Sequence, residues 1–336
     1  MSNNEAKEKK AEHSKIKKWG VLGVRIVLTV LVVGLIFFYV DFEKVLRVLS
    51  NGDFVYLIPI LLLRPLFYFV RGLRIWQILR IGTKKNLPMP NIVGWFFVSC
   101  SIGVCTPGGL GDFSLAYFGR RYDISVSQSI AAVFFDKIVS LSIMFGIAMV
   151  GVDLYFDLDP MWWVVLGILV ISGISVVFLL QEIRKMVNEF LKNRWPAILP
   201  GIQLIVRFTY ERPLAFAANI GLAIVQSLIV AFQIWFSLFL VGYPSDFSGL
   251  FWLTGISRLA SQIPITVSGF GIYEGSLAYL FRILGVPPEF SLAGILVCRT
   301  ITVIISFVVI CWLFWNRNIL WSIPVRKEGE TAKQSS

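Results

Sequence analysis

NIVGWFFVSCSIGVCTPGGLGDFSLAYFGRRY, residues 91–122, decides the fold. It runs apolar to Cys105, breaks at Thr106-Pro-Gly-Gly-Leu-Gly-Asp112, and ends in the basic segment around Arg120 and Arg121. If it crosses a membrane, the acidic stretch 151–160 falls inside and the basic stretch 181–213 outside. That reverses the bias that loads cytoplasmic loops with Lys and Arg. If it enters and returns on the same side, both stretches fall where their charge predicts, so the returning reading is adopted. The same reasoning makes 249–285, broken from Pro264 to Gly271, a second returning segment, entered from outside. Non-helical backbone at membrane depth persists only where protein buries it or where it lines a wet cavity.

Outward from these breaks, six apolar stretches are long enough to cross about 30 Å of hydrocarbon as helix. They are residues 19–40, 54–79, 127–150, 161–180, 214–241 and 291–315. The first follows a tail, residues 1–18, with six lysines and three glutamates, which places the N-terminus inside. It is too long for a signal-peptide core and has no Ala-x-Ala cleavage site, so it reads as an anchor. The expected fold is an all-α polytopic membrane protein, with about six full spans and two re-entrant helical hairpins in an inverted repeat. One integral membrane domain covers 19–315, with repeat halves at about 91–150 and 249–315. The tail at 316–336 is expected on the cytoplasmic side of a plasma membrane.

Composition agrees. Of 336 residues, 57% are apolar and 15% charged, against about 25% charged in an ordinary soluble domain. A β-barrel would instead show alternating segments of about 10 residues. The single histidine, His13, lies in the Lys-rich tail, which excludes a His-based catalytic triad, a His/Cys zinc site and bis-His haem. Cys100, Cys105, Cys298 and Cys311 lack metal-ligand spacing and read as small packing residues. No phosphate-loop motif occurs, and no cofactor or metal is expected. The net charge of +11 belongs to cytoplasmic loops and not to nucleic-acid binding.

The two breaks resemble each other. Thr106-Pro-Gly-Gly109-Leu-Gly111 recurs 160 residues later as Thr266-Val-Ser-Gly269-Phe-Gly271, and Ser114-Leu-Ala-Tyr117 recurs 162 residues later as Ser276-Leu-Ala-Tyr279. In that register Lys137 matches Arg299. The expected hairpin tips are Pro107, Gly108, Gly109 and Gly111, and Pro264, Gly269 and Gly271. A broken helix leaves N–H groups and a positive dipole end that can hold an anion. Alternatively, the glycines only allow tight helix packing.

An ionisable residue mid-membrane costs roughly 2.5–3.5 kcal/mol or more and is a functional candidate by default. Seven qualify as substrate-binding candidates: Arg64, Asp112, Asp136, Lys137, Arg258, Glu274 and Arg299. Asp136 and Lys137 point about 100° apart on one helix and need separate partners. The expected pairing sets Asp112, Asp136 and Glu274 against some of Arg64, Lys137, Arg258 and Arg299. Buried structural ion pairs are one reading; a cationic cavity for a phosphate headgroup is the other. Arg71 and Arg74 are expected to snorkel to the cytoplasmic surface.

The TPGGLGD segment, the later Pro264-Ile-Thr-Val-Ser-Gly-Phe-Gly-Ile-Tyr-Glu274 segment and the basic position after each resemble the membrane region of lysylphosphatidylglycerol synthases and their stand-alone flippase-like relatives. That family's second motif reads close to P-x-PGG-x-G-x-x-E. Val267-Ser268 replaces its Pro-Gly pair here, while Gly269, Gly271 and Glu274 are kept. The resemblance spans about residues 20–315. It implies a translocase moving an amphipathic lipid between leaflets; relatives handle aminoacylated phosphatidylglycerol, polyprenyl-linked sugars and hopanoids. Aminoacyl-transferring members carry a further soluble domain after the membrane region. The sequence runs only about 20 residues past residue 315, so that domain is expected to be absent and the protein is expected not to be an enzyme.

The leading expectation is therefore a flippase or scramblase for an anionic or polyprenyl-linked membrane lipid, moved through a cavity between the two hairpins. Two alternatives stand beside it. One is a membrane-embedded lipid-modifying transferase of the phosphatidylglycerol lysyltransferase type, using Asp112, Asp136 or Glu274 as acid or base. The other is a non-transporting partner of a glycosyltransferase or lipid synthase. Assembly into a homo-oligomer is left open.

Overall fold

The computed structural model describes residues 42–83, 86–105, 107–156, 197–262 and 271–315. The expected spans 19–40 and 161–180, the basic stretch up to residue 196, both tails, and the expected tips Pro264 and Gly269 lie outside the described residues.

Among the described residues the secondary structure is helical throughout. In chain order the helices are α1 (Phe42–Ser50), α2 (Leu57–Leu79), α3 (Met89–Cys105), α4 (Leu115–Gly119) and α5 (Val126–Phe156). Then come α6 (Leu199–Glu211), α7 (Pro213–Leu240), α8 (Phe247–Ser261), α9 (Ile272–Phe281) and α10 (Pro288–Trp315). Local signals set several starts. Asp53 accepts the Val55 N–H at the 3-10 turn Phe54–Tyr56 that leads into α2. Asp246 accepts the Gly249 N–H at 2.9 Å and caps α8. Pro213 and Pro288 open α7 and α10, where a missing N–H costs nothing.

Four stretches are long and apolar enough to cross a membrane: Phe54–Leu79, Val126–Phe156, Pro213–Leu240 and Pro288–Leu313. They coincide with four of the six expected spans. Their 26 to 31 residues rise well past 30 Å. The helices before the two breaks are shorter: α3 has 17 residues and α8 has 15.

Side chains pack into two apolar cores. The first joins Tyr68, Ile75, Ile78 and Leu79 of α2 to Phe96 of α3, Leu115 and Phe118 of α4, Val133 of α5 and Phe208 of α6. The second joins Ile60 of α2 to Val45, Leu238, Leu250, Phe281 and Ile301, from α1, α7, α8, α9 and α10. Helix α2 thus belongs to both, with Pro65 between its two contributions. Ile305 of α10 also packs against both.

The first break is not an open loop. Pro107–Ser114 winds as 3-10 helix and folds back along α3. A Cβ on Gly111 would collide with the backbone of Gly103 and meet the Ser99 carbonyl oxygen at 2.6 Å, so only glycine lets the returning chain lie this close. Ser114 Oγ donates to Ser99 Oγ at 2.9 Å across the same seam. Trp95 and Phe118 stack with centroids 4.1 Å apart and join α3 to α4. At the second break Gly271 takes φ 85°, a left-handed conformation that opens α9, and α9 packs back on α8.

Candidate functional site

Charged side chains inside this apolar bundle gather in two clusters, each built on a chain reversal. In the first, Asp112 from the 3-10 segment meets Arg71 of α2 and Lys137 of α5. Arg71 Nη2 donates to Asp112 Oδ2 at 2.9 Å, and Lys137 Nζ lies 3.6 Å from the same oxygen. Arg71 Nε also reaches Asp136 Oδ2 at 3.3 Å. Asp136 in turn lies 3.0 Å from Arg74 Nη2, and both side chains have no solvent exposure. Arg74 further donates to Ser140 Oγ at 2.9 Å, Gln226 Oε1 at 2.8 Å and Asn219 Oδ1 at 3.3 Å. This polar knot ties α2, α5 and α7 together.

In the second cluster Arg299 Nε of α10 donates to Glu274 Oε1 of α9 at 2.6 Å. Glu274 Oε2 accepts the Gly271 N–H at 2.7 Å, closing the first turn of α9. The Tyr273 ring lies under the Arg299 guanidinium at 5.2 Å, as Phe113 lies under Lys137 Nζ at 5.6 Å. Each reversal therefore offers an acid with an aromatic beside it in sequence, and a base 25 residues after the acid engages both. The two acids are almost buried, at 7% exposure each, while Lys137 and Arg299 keep 31% and 27%. The basic ends therefore remain reachable and the carboxylates do not.

Arg64 and Arg258 stand outside these ion pairs. Arg64 Nη2 donates to Tyr68 Oη at 3.2 Å, and its guanidinium sits over the Phe67 and Tyr68 rings at 5.1 and 4.9 Å. Arg258, in the last turn of α8, lies within electrostatic reach of Arg64, Arg71 and Tyr273. Cys298 of α10 lies within reach of both Arg64 and Arg299.

A family model described as lysylphosphatidylglycerol synthase TM region matches residues 21–310. The chain belongs to this family. A search of curated proteins finds no match. Membership of the lysylphosphatidylglycerol synthase TM region family makes the chain a multi-pass membrane protein related to lipid synthesis and flipping.

Two sequence-based expectations change. Arg71 and Arg74 do not snorkel to a surface: Arg74 is completely buried, and both hold Asp136. Asp136 therefore pairs with these two arginines, and Arg64 and Arg258 pair with no carboxylate among the described residues. The expected pairing holds for Asp112 with Lys137 and Glu274 with Arg299. Pro107, Gly108 and Gly109 lie in the 3-10 segment. Gly111 has a visible packing reason, and Gly271 a conformational one.

Sequence reading missed Arg71, Arg74, Asn219 and Gln226. A signal was present. Arg71 and Arg74 share a face at i, i+3, and Asn219 and Gln226 recur one heptad apart in an otherwise apolar span. Polar positions repeating on one face of a membrane helix point into the bundle and not at lipid.

Proposed function

We propose that the chain is a lipid translocase, a flippase or scramblase of the plasma membrane, that moves an anionic or polyprenyl-linked lipid between leaflets. The observation that carries this reading is the recurrence of one device: Asp112, Phe113 and Lys137 at one reversal, Tyr273, Glu274 and Arg299 at the other. A headgroup must cross hydrocarbon while its tails stay in it, and the barrier is the desolvation of the headgroup. Two reachable cations, each resting on a carboxylate, offer successive stations. At each one the anionic headgroup shares the base with its carboxylate, so the headgroup is never without a counter-charge.

The topology that goes with this reading has both termini cytoplasmic, six spans including 19–40 and 161–180, and two re-entrant hairpins related as an inverted repeat. The short α3 and α8 and the tight return at Gly111 support it. Transporters built on such repeats place their sites at interrupted helices near the midplane. The reading is of a transporter and not an enzyme. It is supported by the engagement of Asp112, Asp136 and Glu274 with basic groups, which fits carboxylates that hold cations in place. The partner is a membrane lipid, not nucleic acid; a glycosyltransferase or lipid synthase would supply or consume it, and self-assembly is compatible with the fold.

The test is reconstitution of the full chain into liposomes carrying fluorescent anionic lipids or polyprenyl phosphates, with a membrane-impermeant quencher outside. Quenching beyond the outer-leaflet fraction is expected. No excess quenching with any of these lipids overturns the proposal.

A further inference from the structure

Five charged side chains meet at the first reversal, and their count is uneven. Arg71, Arg74 and Lys137 face Asp112 and Asp136, three bases against two acids, which leaves one positive charge over among the described residues. The distances say which one. Arg71 reaches both acids, at 2.9 Å to Asp112 Oδ2 and 3.3 Å to Asp136 Oδ2. Its planar fork of donors holds two carboxylates at once, which the point charge of an ammonium does less well. Phe96 supports the same guanidinium, with the ring centroid 5.2 Å away. Arg74 takes Asp136 Oδ1 at 3.0 Å, out of contact with solvent. Lys137 is the remainder. Its Nζ stands 3.6 Å from Asp112 Oδ2, beyond a hydrogen bond, and 31% of its side chain is open. The second reversal differs. Glu274 has one basic partner among the described residues, Arg299 at 2.6 Å. Helix α7, which precedes α8 as α2 precedes α3, contains no charged residue. No arginine of α7 therefore draws Glu274 off Arg299 as Arg71 draws Asp112 off Lys137.

We propose that Arg71 is a positioning residue: by occupying Asp112 it leaves the Lys137 ammonium as the surplus charge that takes an anionic headgroup, which makes the first station the tighter of the two. The inference rests on the translocase reading and deepens it. Arg71 acts through Asp112 and need not touch the lipid. Without Arg71 the cluster is neutral, and Asp112 turns to Lys137 as Glu274 turns to Arg299. The ammonium then has a hydrogen-bonded carboxylate to share with any headgroup. Removing the Asp112 charge as well restores the surplus. A guanidinium that only fixes α2 to α5 forecasts the opposite, because a second lost contact cannot repair the first.

The experiment uses the full chain in dodecyl maltoside, titrated with water-soluble dihexanoyl phosphatidylglycerol and, as a zwitterionic control, dihexanoyl phosphatidylcholine. Saturable binding of the phosphatidylglycerol, tighter than that of the phosphatidylcholine, is expected. Arg71→Gln should weaken it about tenfold, and Asp112→Asn should strengthen it roughly threefold. The double variant should return to within about threefold of the parent. Asp136 keeps Arg74 in all three variants. In the unsubstituted protein, phosphatidylglycerol should protect Lys137 from acetic anhydride, read by peptide mass, which keeps the test alive if a variant misfolds. No saturable binding, equal binding of the two lipids, no recovery in a folded double variant, or no protection of Lys137 overturns the role. Leaflet exchange with binding indifferent to Arg71 would sink the positioning role and spare the translocase; binding that follows Arg71 without exchange would do the reverse.

Discussion

Arg299 Nε stands 2.6 Å from Glu274 Oε1, and this contact joins α10 to the first turn of α9 immediately after the second break. Its counterpart, Lys137 with Asp112, is looser at 3.6 Å because Arg71 competes for the same oxygen. The two stations thus hold their bases with different grips.

Glu274→Gln and Arg299→Gln should each lower leaflet exchange by more than tenfold. Combined, they should be less than additive, with a coupling of about 0.5–3 kcal/mol, as expected for side chains in contact. Quencher-based exchange rates for the four proteins measure the coupling. Additive losses would show that the pair does not act as a unit.

Asp136→Asn should cost stability more than exchange. It strands Arg74 in a site with no solvent exposure, and breaking a buried pair typically costs about 3–5 kcal/mol. A thermal melt in detergent should fall steeply. Asp112→Asn should fall less, because Arg71 retains Asp136 and Lys137 is partly exposed.

Gly111→Ala places a methyl group into the Gly103 backbone. Overpacking of this kind costs about 1–3 kcal/mol, and the hairpin must open to relieve it. Cysteine cross-linking from Ser99 to Ser114, whose hydroxyls sit 2.9 Å apart, should form readily in the parent and poorly in the alanine variant.

Reporter fusions at Asp157 and Lys192 should read outside and inside the cell, respectively. The opposite pattern would make residues 91–122 a crossing helix and remove the hairpin topology.

Much of this architecture is legible in the chain. Helical spans follow from block length, and the two breaks from Gly and Pro clusters. The pairing of Lys137 with Asp112 and of Arg299 with Glu274 was within reach, because a charge in hydrocarbon must find an opposite one. The destination of Asp136 was not. Arg71 and Arg74 lie late in their span, where one-dimensional depth suggests an exit to water. The packing of α2 against α5 and α7, which supply Asp136, Ser140, Asn219 and Gln226, makes burial of Arg74 affordable. Which arginines stay uncompensated is likewise a property of the assembled bundle, because every acid has several bases within sequence-plausible reach.

Helix α2 has one further consequence. Ile60 is anchored in one apolar core and Tyr68 in the other, and Pro65 between them withholds the N–H that would bond to the Leu61 carbonyl. The cores cannot tilt against each other as independent rigid bodies without flexing this helix. The turn around Pro65 is its weakest point and carries Arg64. A fulcrum placed there would couple the angle between the two cores to the position of a single guanidinium, so that bending the helix and moving a buried charge become one motion.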